Sequence, residues 1–174
     1  MIAAWYMTFV PGHHGALDRV GGLPSHLPPA FPDNGAGQPL RFLAQFYCDG
    51  TRLHLPGVLC LQIYQDEPDG DPIPVPVFVP VGALPNSNES GRPAPDVILH
   101  DIEWEYREDP DEPSDDRVDI AKSKLGGVCY FSHALDQGER LLLFLEEYPP
   151  EFNFGGDELM LAVDSVGKVR VACA

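Results

Sequence analysis

The sequence predicts a mainly β domain with little helix, α+β at most, built from two related antiparallel sheet units. Three observations carry this. Proline (19) and glycine (17) make about a fifth of the 174 residues, which suits many turns and short elements and leaves little room for helices. Short apolar or alternating runs, bounded by Pro, Gly and Asp, have the look of strands. A glycine doublet occurs twice, as Val20-Gly21-Gly22-Leu23-Pro24 and Leu125-Gly126-Gly127-Val128, each with a polar or basic pair ahead of it (Asp18-Arg19, Ser123-Lys124).

In chain order, residues 2–10 read as a first strand that stops at Pro11-Gly12. Residues 21–38 are a proline-punctuated loop, with Leu23, Leu27 and Phe31 as apolar pegs over a sheet. Residues 40–48 and 58–65 are strands, and the second ends in the acidic turn Asp66-Glu67-Pro68-Asp69-Gly70-Asp71. Residues 72–81 alternate proline with branched residues; proline cannot donate to a ladder, so this is an edge strand or strap. After a polar loop over 82–96, residues 97–106 alternate, with Ile102, Trp104 and Tyr106 on one face and Asp101, Glu103 and Glu105 on the other. Residues 108–119 form the most acidic run, and only 115–124 suit a short helix, capped by Ser114. Leu141–Leu145 and 158–164 supply the last two strands.

The doublets lie 105 residues apart, while Leu59 and Leu159, Leu61 and Leu161, and Ile63 and Val163 are each 100 apart. This spacing predicts an internal duplication with a shorter loop after the second doublet. The whole chain, 1–174, reads as one domain of two units, about 18–81 and 120–174, joined by an acidic segment over 97–119.

The residues Gly-Gly-Leu-Pro (21–24), Phe-Leu-Ala-Gln-Phe (42–46) and Leu-Pro-Gly-Val-Leu (55–59) followed by Leu-Gln-Ile-Tyr (61–64) resemble the YwqG-like family of bacterial proteins. Ser-Lys-Leu-Gly-Gly (123–127) and Asn153-Phe154-Gly155-Gly156-Asp157-Glu158-Leu159 continue in that family's order. The chain departs from it in being shorter and in having Gly-Gly-Val-Cys where the family keeps a proline and an aromatic. The resemblance implies a mostly β duplicated fold and no reaction. Some relatives are similar to immunity proteins encoded beside secreted bacterial toxins.

The net charge is -16, with a sequence pI of about 4.4. Such a field repels nucleic acid and anionic membranes and attracts basic partners. The opening segment lacks a basic flank and is too short to span a bilayer, and the four cysteines (48, 60, 129, 173) contain no C-x-x-C, so a cytoplasmic protein with reduced thiols is expected.

Catalytic signatures are missing: there is no Gly-x-Ser-x-Gly, phosphate loop or G-x-G-x-x-G. His13-His14 are adjacent and point to opposite faces of an extended chain, and Cys129 and His133 are too far apart along a strand to pair. The 66–71 acids lack the closing glutamate of a calcium loop. No catalytic residue, metal or cofactor is therefore expected.

What remains is acidic surface set among aromatics. Glu103, Trp104, Glu105, Tyr106, Glu108, Asp109, Asp111, Glu112, Asp115 and Asp116, with Asp66, Glu67 and Asp69, are the expected contacts to a partner. The function expected is that of an immunity protein neutralising a cognate basic toxin, a nuclease being basic because it binds phosphates. The alternative is a non-enzymatic scaffold that binds another protein or a small ligand.

Overall fold

The computed structural model describes all residues except 14–15, 67–72, 112–119, 132–133, 148–151, 153, 155–157 and 174. Among the described residues the regular elements are strands: β1 (Ile2–Pro11), β2 (Arg19–Val20), β3 (Arg41–Tyr47), β4 (Val58–Gln65), β5 (Val75–Pro80), β6 (Arg92–Pro93), β7 (His100–Asp109), β8 (Lys124–Gly126), β9 (Arg140–Leu145), β10 (Leu159–Val163) and β11 (Val169–Cys173). The mainly β class follows from the sequence as expected. Residues 115–119 of the short helix expected over 115–124 lie outside the described residues; 120–123 form no α-helix, and Lys124 opens β8.

The chain forms two compact units. A terminal unit comprises Met1–Thr8, Glu103–Glu147 and Gly156–Ala174, and a middle unit comprises Phe9–Ile102 and Tyr148–Gly155. Of the segment expected over 97–119, residues 112–119 lie outside the described ones; His100–Asp109 form strand β7, whose first three residues belong to the middle unit and the rest to the terminal one.

In the middle unit β2 pairs antiparallel with both β7 and β3, and β3, β4 and β5 follow as a meander. β5 occupies an edge, where Pro76 and Pro80 withhold no needed donor. The core here is aromatic: Leu40, Phe42 and Tyr64 are buried together, with Phe31, Val75 and Val77 packed against them. Phe42 and Phe31 both meet the Tyr64 ring edge-on, at 5.7 and 6.4 Å between centroids.

The terminal unit repeats this order of elements. β8 pairs antiparallel with β1 and β9, and β9, β10 and β11 form the meander. β10 is buried along its whole length, as its unbroken apolar run requires. Leu141, Phe144, Met160, Ala162 and Ala172 close around Cys129, and each fully buried large aliphatic contributes about 1.5–3 kcal/mol.

Each doublet ends a strand of two or three residues, too short to show any periodicity. Gly21 (φ 74°) lies against the chain at 97–98, where an added Cβ would meet Val97 O at 2.6 Å. At Gly127 (φ 77°) an added Cβ would run into the Asp109 carboxylate and meet Ala4 Cβ at 2.7 Å. Left-handed backbone and close approach both select glycine.

Candidate functional site

β7 carries the largest group of expected contact residues. Glu103, Glu105, Tyr106 and Glu108 are exposed and Trp104 is half-buried. Tyr106 keeps half its surface in solvent and meets Trp5 edge-on, at 5.2 Å between ring centroids. The strip is not uniformly acidic. Arg107 donates to Glu105 at 2.7 Å, which holds that carboxyl below its usual range, and its guanidinium lies 4.7 Å from the Tyr6 ring centre. Asp111 is exposed and pairs with the N-terminal ammonium. Asp66 is half-buried just past β4. Glu67, Asp69, Glu112, Asp115 and Asp116 lie outside the described residues, as do His14 and His133.

Asp109 is not a surface acid. It is 2% exposed and accepts from Lys124 Nζ at 2.6 Å, Tyr6 OH at 2.6 Å and the Val128 amide at 2.9 Å. Lys124, itself 1% exposed, also donates to Tyr6 OH at 3.3 Å and sits 5.0 Å from that ring's centre. A buried ammonium needs a carboxylate to offset its desolvation, and Asp109 is that carboxylate. Glu103, Glu105, Arg107 and Asp109 share one side of β7; at its end, Tyr6 and Lys124 lie opposite, so the last acid of the series turns inward.

A second feature is a network of buried amides. Gln45 and Gln62 are fully buried in apolar strands and fasten the loop carrying the first doublet. Gln45 Nε2 donates to Leu17 O and Ser25 Oγ, both at 2.7 Å, while its oxygen accepts from the Ser25 amide at 3.1 Å and from Gln62 Nε2 at 3.0 Å. Gln62 Nε2 also donates to His26 O, and Tyr64 OH donates to Gln62 Oε1 at 2.8 Å. A buried amide is stable only when so satisfied.

Beside this network Ser25 Oγ is 3.0 Å from His26 Nδ1, which suggests a nucleophile and its base. Tyr47 OH is closer to that same nitrogen, at 2.7 Å, and Gln45 donates into the serine oxygen. The nitrogen a serine would need is thus engaged by a phenol, and the group acts as a polar latch.

The loop borders a cleft of about 490 Å³ between Leu17, Leu23, Pro24 and Pro93, with Arg19, Ser25, Asn86 and Glu89 on its lining. Arg19 is 8% exposed. Its Nη1 donates to Leu23 O at 3.3 Å and its buried Nε has no partner among the described residues. Burial pulls this guanidinium down from its ordinary value, partly opposed by Tyr47 and Asp101. The neighbouring carboxylates are committed elsewhere: Asp18 to Arg52 at 2.7 Å, and Asp101 to the amide and ring of His13.

Among the described residues no three His, Cys, Asp or Glu side chains gather to hold a metal ion, and no helix is long and apolar enough to cross a membrane. Burial pushes the Cys48 thiol up to about 11 and the Cys60 thiol up to about 12, far from a reactive thiolate. Compared with known proteins, the chain matches no family model, no curated protein and no solved structure.

Proposed function

We propose that this protein is a non-enzymatic immunity protein that binds and neutralises a cognate basic protein toxin, in its sharper form a nuclease, through the exposed acidic and aromatic residues of β7. The observation that carries the reading is the set Glu103, Glu105 and Glu108, exposed on one strand beside Trp104 and Tyr106, in a chain of net charge -16. Carboxylates of that density speed encounter with a cation-rich partner and reject nucleic acid and anionic membrane, while half-buried aromatics supply contact area at low entropic cost. Asp111 adds to the acidic residues of the terminal unit, and Asp66 is a further acid on the middle unit; Asp109, being internally paired, is not part of the proposed contact. A cytoplasmic location fits a partner that must be stopped before it reaches nucleic acid, and no cofactor is needed.

The test is co-expression with the protein encoded beside this gene, scored by growth and by co-purification. Protection is expected, with binding that weakens steeply with salt, and the double substitution Glu103→Lys, Glu105→Lys should cut affinity by about 100-fold. A neighbouring product that is not basic, or that is neither bound nor neutralised, contradicts the reading.

A further inference from the structure

The Arg19 cleft has no part in that docking face. A buried guanidinium in a folded chain ordinarily has a carboxylate against it, because its desolvation is costly otherwise. Arg19 has none among the described residues. Asp18 and Asp101, the two nearest in sequence and register, hold Arg52 and His13. Nη1 is spent on a long bond to a carbonyl, Nε is sealed inside, and Nη2 has no partner among the described residues and is not sealed. The guanidinium therefore presents an open donor to a cavity of ligand size.

We infer that the cleft is a binding site for an aliphatic monocarboxylate, whose carboxylate pairs with Arg19 and whose body lies against Leu17, Leu23, Pro24 and Pro93. The class follows from the walls. A planar guanidinium takes a carboxylate in charge-assisted hydrogen bonds, and Ser25 stands in reach of the cleft as a further polar group. The apolar residues call for a hydrocarbon body. Glu89, exposed on the lining and held at φ 51°, puts a negative charge on the same cavity. With the net charge of the chain, it disfavours a second negative charge, so phosphate and dicarboxylates are selected against. Both a free carboxylic acid and the C-terminal residue of a polypeptide present this chemistry.

The test is calorimetric titration of the full chain with N-acetyl-leucine, N-acetyl-leucinamide, succinate and inorganic phosphate, and with a pentapeptide ending in leucine. N-acetyl-leucine should bind saturably, with the amide, succinate and phosphate each weaker by about tenfold or more. A pentapeptide binding more tightly than N-acetyl-leucine identifies a polypeptide C-terminus as the natural occupant; equal or weaker binding identifies a small acid. Arg19→Gln should abolish N-acetyl-leucine binding. Because Arg19 is buried, Glu89→Gln on the exposed rim is the second variant, and it should raise succinate affinity several-fold relative to N-acetyl-leucine. The inference is overturned if N-acetyl-leucine does not bind, if the amide or phosphate binds as well, if folded Arg19→Gln retains affinity, or if Glu89→Gln leaves the ratio unchanged. None of these outcomes depends on the toxin partner.

Discussion

Arg19-Val20-Gly21-Gly22 and Lys124-Leu125-Gly126-Gly127 place a cation at the same distance before a glycine doublet, on a short strand flanked by a long strand and a three-strand meander. The two cations are used differently. Lys124 is neutralised from within by Asp109 and Tyr6, and Gly127 is absent of a side chain so that the carboxylate fits. Arg19 also faces an acid of β7 across a register pair, Asp101, but that carboxylate serves His13 and the guanidinium is left beside a cleft. One position is a structural lock; the other keeps a charge available.

The largest effect should come from removing the acid at each place. Asp109→Ala strands Lys124 in the core and should cost about 3–5 kcal/mol in urea unfolding. Asp101→Ala removes a partly exposed acid that bonds His13 and only partly offsets the burial of Arg19, and should cost about 1 kcal/mol. Comparable losses would erase the contrast.

The glycines come next. Gly127→Ala and Gly21→Ala each combine left-handed backbone with a clash and should each lose about 2–4 kcal/mol by the same measurement. In an Asp109→Ala background the clash with the carboxylate is gone while that with Ala4 Cβ remains, so the added cost of Gly127→Ala should fall but stay above the backbone strain of about 1–2 kcal/mol. The cost of Gly21→Ala should not change there, since its neighbours are the carbonyls of Val97 and Ile98.

The smallest effect is one of pH. Burial would raise the Asp101 carboxyl, but the His13 amide and ring hold it below its ordinary value. A depressed carboxyl contributes stability above the usual carboxylate range, and that contribution fades as pH falls through the lowered value. A carboxyl NMR titration should place Asp101 below a free aspartate, with His13→Ala moving it back up only in part, because the amide remains.

Much of this fold was legible in the sequence, and the gaps have physical causes. β4 runs over 58–65 as its apolar pattern predicts, and β1, β3, β9 and β10 follow theirs closely. β2 and β8 are too short for any period to show, so the doublets looked like loops. β7 runs three residues beyond the expected alternation, and Asp109 at its end looked like one more surface acid in an acidic run. The legible signal for its burial was Lys124, a lysine next to apolar residues and two glycines, which requires an acid somewhere. Gln45 and Gln62 gave a similar hint as amides within apolar strands. The Arg19 cleft left no trace, because Asn86, Glu89 and Pro93 reach it from a loop with no pattern of its own.

The claim that the two cations differ in kind is tested most directly by comparing Lys124→Met and Arg19→Met in urea unfolding under one set of conditions. Lys124→Met leaves Asp109 buried without its counter-charge and should lose about 3–5 kcal/mol, whereas Arg19→Met removes a buried charge with no ion-pair partner among the described residues and should stay within about 1 kcal/mol of the parent or gain stability. Equal losses at the two positions would contradict the account.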